Sequence, residues 1–166
     1  MSSIILIGFM CSGKTTVAPI IAKKLSKEVV EMDDLVRKLA EKTTEEIFAQ
    51  HGEVGYREFE IAVAKSLRDK INIVISTGGG VVMNKIIIDY LKNKDSKIIF
   101  LHTSFDVLQK RLDPKIPRPL FKNINAAKKM YDLRLPLYNT YADIIIQADN
   151  KLPDEITEEI IKQTKL

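Results

Sequence analysis

Apolar residues along the chain form short continuous runs that alternate with stretches of helical spacing. The runs are rich in Ile, Val and Leu, which predicts strands buried on both faces of a sheet. They comprise Ile4 to Ile7, Val29 to Val30, Asn72 to Ser76, Lys97 to His102 and Asp143 to Gln147. Between them, apolar residues recur every three or four positions, as is typical of amphipathic helices.

Strands and helices therefore alternate, with one strand about every 25 to 30 residues. This alternation predicts an α/β fold of three layers, in which helices cover both faces of a five-stranded parallel sheet. No repeat or low-complexity linker interrupts residues 1–166, so we expect one domain. Ligands of such sheets bind at the carboxyl ends of the strands.

Two places depart from the helical pattern. Residues 113–123 hold three prolines and little periodicity, which predicts a loop. Pro136 falls within the helical stretch from Ile124 to Tyr141 and is expected to end or kink that helix. Thr43 followed by Glu46 is typical of a capping box, which predicts that another helix begins there and continues through Phe48. The apolar spacing predicts a separate, longer helix from Gly52 to Lys70.

Composition excludes several classes of protein. The chain has 166 residues, of which 45% are hydrophobic and 29% charged, so it is not a disordered polypeptide. One cysteine excludes an intramolecular disulfide and a cysteine-based zinc site, and the two histidines lack metal-ligand spacing. The amino terminus lacks the basic segment of a signal peptide and no apolar run is long enough to span a bilayer, so we expect a cytoplasmic protein.

The net charge of +4 hints at an anionic partner without identifying it. Nucleic acid, membrane surfaces and phosphorylated small molecules are all anionic partners compatible with this net charge. The basic residues are dispersed among acidic ones, and no stretch interleaves them with aromatic residues, which argues against nucleic acid. We therefore expect no nucleic-acid or membrane partner.

A phosphate-binding loop follows the first strand. Residues 8–15, Gly-Phe-Met-Cys-Ser-Gly-Lys-Thr, fit the P-loop pattern G-x-x-x-x-G-K-[ST] and precede the first helix. In such a loop the backbone N–H groups hold phosphate oxygens, Lys14 reaches the β- and γ-phosphates, and Thr15 offers its hydroxyl to Mg²⁺. P-loops serve kinases, GTPases, motors and switches alike, so the motif leaves the acceptor open.

Further motifs follow the P-loop in a specific order along nearly the whole chain. They are Glu31-x-Asp33, Ile47-Phe48, Gly52-Glu53, Tyr56-Arg57-x-x-Glu60, Ser76-x-Gly78-Gly79-Gly80, Arg118-Pro119-Leu120 and Arg134-x-Pro136-Leu137-Tyr138. With Gly8-Phe9-Met10-x-Ser12-Gly13-Lys14-Thr15, this combination resembles the shikimate kinase family. The resemblance implies a P-loop kinase fold like that of nucleoside monophosphate kinases. It also implies transfer of the ATP γ-phosphoryl group to the 3-hydroxyl of shikimate, a step of aromatic amino acid biosynthesis.

The resemblance also implies roles for individual residues. Asp33, Lys14 and Arg118 would be catalytic, with Arg118 on a mobile lid at about 113–123 that excludes water. Acceptor binding would centre on residues 33–60, and the shikimate contacts would be Asp33, Arg57, Gly78, Gly79, Gly80 and Arg134. ATP would be bound by Cys11, Ser12, Gly13, Lys14, Thr15, Thr16, Arg111, Arg118 and Lys151. Mg²⁺ would be held by Thr15 directly and by Glu31 through water. For the oligomeric state, we expect a monomer.

Two positions depart from the family pattern. Glu31 stands where an aspartate is usual, which lengthens the side chain expected near Mg²⁺ by one methylene. Cys11 replaces a usual glycine in the P-loop and narrows the backbone conformations available there. Because Asp34 lies next to Asp33, the family motif can be aligned with this sequence in two registers. We align Asp33 with the catalytic carboxylate of the family, because the spacing from Asp33 to Phe48 then needs no gap.

Alternatives at these positions remain open. Asp33 and Asp34 are also suited to stabilise a helix N-terminus, the glycine triplet to form a turn, and the arginines to form surface ion pairs. Among functions, the main alternative is another small P-loop kinase that phosphorylates gluconate or a nucleoside monophosphate. A nucleotide-dependent protein that binds nucleic acid is the second alternative.

Overall fold

The computed structural model describes residues 2–112 and 119–165. Its strands are β1 (Ile4–Ile7), β2 (Glu28–Glu31), β3 (Ile73–Ser76), β4 (Lys97–His102) and β5 (Ile144–Gln147). They form one parallel sheet in the order β2-β3-β1-β4-β5. The chain thus places β1, with the P-loop at its carboxyl end, at the centre of the sheet.

The helices of the described residues are α1 (Lys14–Leu25), α2 (Met32–Ala40), α3 (Thr44–Leu67), α4 (Lys85–Leu91), α5 (Phe105–Lys110), α6 (Ile124–Tyr141) and α7 (Pro153–Thr164). Short 3₁₀ turns cover Val81–Met83 and Pro119–Lys122. No helix in this described part of the chain is long and apolar enough to cross a membrane.

Successive residues of β1 face opposite layers of helices. Ile5 and Ile7 belong to a core shared with residues of α2, α3, α4 and α6. Ile4 and Leu6 belong to a second core shared with α1 and α7. All four side chains are fully buried, as expected of a central parallel strand covered on both faces. The predicted three-layer α/β fold is confirmed.

Helix α3 is one kinked element where the sequence predicts two. Its capping box is present: the Glu46 N–H donates to Thr43 Oγ1 at 3.2 Å, and the Thr43 N–H donates to the Glu46 carboxylate at 2.8 Å. Gly52 interrupts the helix with φ 66° and ψ −170°, a conformation that glycine adopts without steric cost. The second half of α3, which carries Tyr56, therefore runs in a new direction.

Helix α6 continues through Pro136 and ends at Tyr141, so the proline does not terminate it. Tyr138 is fully buried and stacks on Phe100 of β4, with ring centroids 4.9 Å apart, which holds the turn after the proline against the sheet. Residues 113–118 of the predicted lid lie outside the described residues. The Asn123 side chain accepts a hydrogen bond from the Ala126 N–H and so caps α6.

Candidate active site

The P-loop connects β1 to α1 and wraps around the ammonium group of Lys14. Gly8 and Gly13 have φ of 151° and 100°, and a Cβ on Gly8 would lie 2.9 Å from the Leu101 carbonyl oxygen. Lys14 is buried, and its Nζ donates to the carbonyl oxygens of Gly8 at 2.7 Å and Phe9 at 3.0 Å. The loop thus holds a buried cation at the N-terminus of α1, which suits an anionic ligand.

Cys11 occupies the left-handed region of the backbone with φ 64°. This conformation costs a residue with a Cβ about 1 kcal/mol relative to glycine. The loop nevertheless keeps its form, because Arg111 donates to the carbonyl oxygens of Cys11 at 3.4 Å and Ser12 at 3.3 Å. The same guanidinium donates to the Ala148 carbonyl oxygen at 3.0 Å and so ties the loop to the segment after β5.

A cavity of about 460 Å³ opens beside the P-loop. Its lining combines loop residues, one carboxylate, a glycine of the triplet, two cations and residues at the start of α7: Met10, Cys11, Ser12, Gly13, Lys14, Thr15, Thr16, Val17, Asp33, Thr77, Gly79, Arg111, Lys151, Pro153 and Ile156. Lys151 also forms an ion pair with Glu159. The cavity is therefore lined by the phosphate-binding loop together with a carboxylate, two further cations and apolar groups.

The two adjacent aspartates of α2 have different surroundings. Both lie in the first turn of the helix, where a negative charge is favourable. Asp34 is paired with Arg37 on the surface. Asp33 lines the cavity, and its Oδ1 accepts a hydrogen bond from the Tyr56 hydroxyl at 3.0 Å. Asp33 is therefore the aspartate able to reach an acceptor beside the P-loop.

The glycine triplet leaves space for the side chains of neighbouring elements. A Cβ on Gly78 would lie 2.9 Å from Asp33 Oδ1 and 3.0 Å from Glu60 Oε1. A Cβ on Gly80 would lie 2.1 Å from Arg57 Nη2. The middle glycine, Gly79, lines the cavity itself. Absence of side chains at 78 and 80 thus lets α2 and α3 bring their charged groups up to the end of β3.

A buried ion pair on α3 fixes one of the predicted acceptor arginines. Glu60 is 1% exposed and accepts a hydrogen bond from Arg57, which also contacts Glu53 at 3.2 Å. Burial raises the pKa of Glu60, and the charge of Arg57 opposes that rise. Burial lowers the pKa of Arg57, but Glu60 and Glu53 together raise it by more than burial lowers it, so Arg57 stays charged.

Arg134 brings a second guanidinium to the same region from α6. It is 6% exposed and lies over the ring of Phe9, with its Cζ 5.7 Å from the ring centroid. Burial lowers its pKa, and the positive charge of Arg57 contributes to that lowering. Its Nε has no hydrogen-bond partner among the described residues. The buried, unpaired Nε donor of Arg134, close to the half-buried guanidinium of Arg57, predicts a bound anion, since it is costly to leave a buried donor without a hydrogen bond.

Thr15 and Glu31 form a small oxygen cluster at the edge of the P-loop. The Thr15 hydroxyl donates to Glu31 Oε2 at 3.4 Å, whereas Glu31 Oε1 is buried without a partner among the described residues. Burial raises the pKa of Glu31, and the hydroxyl groups of Ser76 and Thr15 oppose the rise. Hydroxyl and carboxylate oxygens are ligands that Mg²⁺ prefers, so both side chains fit this ion.

Comparison with known proteins identifies the family. The family model for shikimate kinase matches residues 10–165. The chain belongs to the shikimate kinase family. It is 38% identical over 166 residues to the shikimate kinase of Thermodesulfovibrio yellowstonii, an alignment that covers 98% of this chain and 95% of that relative.

Two solved members of the shikimate kinase family share this architecture over nearly their full length. The shikimate kinase from Acinetobacter baumannii in complex with shikimate superposes with a TM-score of 0.90 at 27% sequence identity. The alignment covers 97% of this chain and 91% of the Acinetobacter baumannii chain. The shikimate kinase from Aquifex aeolicus superposes with a TM-score of 0.86 at 34% sequence identity. That alignment covers 98% of this chain and 96% of the Aquifex aeolicus chain. The predicted P-loop kinase fold is confirmed.

The described residues bring the positions predicted from the shikimate kinase family together in two groups. The cavity group consists of Cys11, Ser12, Gly13, Lys14, Thr15, Thr16, Asp33, Gly79, Arg111 and Lys151. The second group, beside Asp33, consists of Arg57, Gly78, Gly80 and Arg134. Arg118 lies outside the described residues, and its role stays a prediction.

Sequence reasoning assigned no role to three side chains that support the shikimate kinase site. Glu60 follows Arg57 by three residues, a helical spacing that could have indicated their ion pair. Tyr56 contacts Asp33 from another helix, and Tyr138 donates to the Gly79 carbonyl oxygen across 59 positions of sequence. No local pattern indicates contacts of this kind.

Proposed function

We propose that this chain transfers the γ-phosphoryl group of ATP to the 3-hydroxyl of shikimate and releases shikimate 3-phosphate and ADP. The observation that carries the proposal is the position of Asp33, which shares a cavity with the P-loop and lies beside Gly78, next to the buried Glu60–Arg57 pair. A carboxylate beside a phosphate loop suits deprotonation of an alcohol. The guanidinium groups of Arg57 and Arg134, half-buried and buried respectively, suit a carboxylate on that alcohol.

On the nucleotide side, the N–H groups of the P-loop and the Lys14 ammonium would hold the phosphates. Lys14 would exchange its contacts with the carbonyl oxygens of Gly8 and Phe9 for phosphate oxygens. Arg111, Lys151 and the start of α7 would border the adenine end of the cavity. Arg118 would stabilise charge on the transferring group when the lid closes.

On the acceptor side, Arg57 and Arg134 would hold the shikimate carboxylate. The unpaired Nε of Arg134 supports this role, because a carboxylate satisfies a guanidinium with two parallel hydrogen bonds. Glu60 would orient Arg57 through their ion pair. The main chain of Gly79 would border the substrate ring where a side chain would intrude.

In the chemical step, Asp33 would hold and then accept the proton of the 3-hydroxyl group. The shikimate oxygen forms its bond to the γ-phosphorus while the bond to the β,γ-bridging oxygen breaks. The electron pair of that broken bond leaves with ADP. Exclusion of water matters because water is the competing acceptor.

Mg²⁺ fits Thr15 and Glu31, which would hold it against the phosphates. When bound, it would neutralise charge that develops on the β- and γ-oxygens. In residues 2–112 and 119–165, no group of three or more His, Cys, Asp or Glu side chains is arranged to bind a metal ion. The nucleotide would therefore supply further ligands, as is usual for Mg²⁺ in phosphoryl transfer.

All groups invoked here come from one chain, which supports a monomer as the active form. The use of ATP as co-substrate supports a cytoplasmic location. Sedimentation of the purified protein would measure the oligomeric state, and fractionation of cells would test the location.

The test is ADP release measured by a coupled assay with ATP, Mg²⁺ and a series of acceptors. We expect turnover with shikimate and none above background with gluconate or nucleoside monophosphates. The variant Lys14→Met serves as a control and should abolish turnover without unfolding the protein. Turnover on gluconate or a nucleotide, with none on shikimate, would overturn the proposal.

A further inference from the structure

A hydrogen bond joins two helices at the candidate catalytic carboxylate. The hydroxyl of Tyr56, on α3, donates to Oδ1 of Asp33, on α2, at 3.0 Å. Tyr56 is 6% exposed, so little water competes for this contact. A hydrogen bond to a charged group is among the stronger ones in proteins when it is shielded from solvent.

Two neighbouring side chains contact the ring of Tyr56. It stacks on Phe48 with centroids 4.7 Å apart and an interplanar angle of 18°, and the Arg57 guanidinium lies 5.8 Å from its centroid. Burial and the charges of Asp33 and Glu60 raise the pKa of Tyr56, so its hydroxyl keeps its proton and remains a donor. The hydroxyl is thus presented to Asp33 by a rigid support.

The same carboxylate oxygen also lies close to the main chain at residue 78. A Cβ on Gly78 would lie 2.9 Å from Asp33 Oδ1, so the main chain after β3 passes close to this oxygen. Oδ1 therefore contacts the Tyr56 hydroxyl and lies close to residue 78, while Asp33 also lines the cavity shared with the P-loop. One carboxylate oxygen is thus held by a hydrogen bond, which limits the rotation of the carboxylate.

We propose that Tyr56 is a positioning residue: it anchors Oδ1 of Asp33 so that Oδ2 is the oxygen that faces the acceptor hydroxyl. The inference rests on the proposed role of Asp33 in phosphoryl transfer. The proton of the acceptor O–H group passes to Oδ2 as the acceptor oxygen bonds to the γ-phosphorus and ADP leaves with the electron pair. Tyr56 neither gives nor takes a proton in this step.

The substitution Tyr56→Phe keeps the ring and its stack on Phe48 and removes only the hydroxyl. We expect kcat to fall about 10-fold while the KM for ATP changes less than about 2-fold, because an anchor of the base acts in the transition state. Tyr90→Phe, on α4, is the matched control and should leave kcat unchanged. Circular dichroism and thermal unfolding would check that both variants fold.

A double-mutant cycle with Asp33→Ala separates positioning from a general structural effect, since alanine offers no acceptor for the Tyr56 hydroxyl. In the Asp33→Ala background, Tyr56→Phe should change turnover less than about 2-fold. If Tyr56→Phe leaves kcat unchanged, or costs the same factor in both backgrounds, the positioning role is wrong. If Asp33→Ala itself keeps near-normal turnover, the proposed role of Asp33 fails instead.

Discussion

The guanidinium of Arg57 occupies the space that a side chain at Gly80 would fill. A Cβ on Gly80 would lie 2.1 Å from Nη2, 2.5 Å from Cζ and 2.6 Å from Nη1 of Arg57. Arg57 cannot simply swing aside, because Glu60 and Glu53 hold it. The observed position of Arg57 therefore requires a glycine at position 80, 23 residues later in the sequence.

Substitution of Gly80 by alanine is therefore expected to displace Arg57 and weaken acceptor binding. The KM for shikimate should rise about 10-fold or more, while the KM for ATP stays within about 2-fold. Steady-state kinetics with each substrate varied in turn would measure both constants. Gly78→Ala is the matched comparison: it would press on Asp33 and should lower kcat more than it raises the KM for shikimate. An equal rise in both KM values for Gly80→Ala would contradict this account.

Asp33→Asn should retain ATP binding and lower turnover by about 100-fold or more, through loss of proton acceptance. Calorimetric titration with ATP and the coupled assay would separate the two effects. Asp34→Asn is the control, since Asp34 is paired with Arg37 on the surface, and it should keep normal turnover. The opposite pattern would assign the catalytic role to Asp34.

Arg134→Lys should raise the KM for shikimate about 10-fold or more and leave the KM for ATP unchanged. A lysine keeps the charge and loses the planar pair of donors that fits a carboxylate. Arg37→Lys, at an exposed ion pair, is the control for the same chemical change and should have no effect on either constant. An unchanged KM for shikimate in Arg134→Lys would remove this residue from the site.

The dependence on Mg²⁺ should vary with pH through Glu31. Burial raises the pKa of Glu31, so the carboxylate takes up a proton at a higher pH than an ordinary glutamate does. Protons and Mg²⁺ compete for its oxygens, and the Mg²⁺ concentration for half-maximal binding should therefore increase as pH falls through that raised pKa. Titration of the ATP-bound protein with Mn²⁺, followed by electron paramagnetic resonance, would measure this without turnover.

Glu31→Gln is the control for the pH effect, because an amide does not titrate. The Glu31→Gln variant should bind the divalent ion more weakly than wild type at every pH. The ion concentration for half-maximal binding should also lose the part of its pH dependence that comes from Glu31. If wild type and Glu31→Gln respond to pH alike, Glu31 does not contact the ion.

Local patterns predicted the strands well because each buried strand is a short apolar run bounded by polar residues. β1 and β4 begin and end where the sequence indicates. The pattern did not predict the joining of two helices at Gly52, since a kinked helix and two separate helices have the same apolar spacing. Nor did it predict the continuation of α6 through Pro136, which depends on the packing of Tyr138 against Phe100.

The sequence by itself determined the P-loop, the order of strands and helices, and the charged residues available to the site, because these depend on residue types at short spacing. Only the tertiary structure decided which side chains meet. It distinguishes Asp33 from Asp34, places Arg57 in the space above Gly80, and brings the Tyr56 hydroxyl to the Asp33 carboxylate. These contacts join residues on different helices and loops, and their geometry depends on how those elements pack on the sheet rather than on any local pattern.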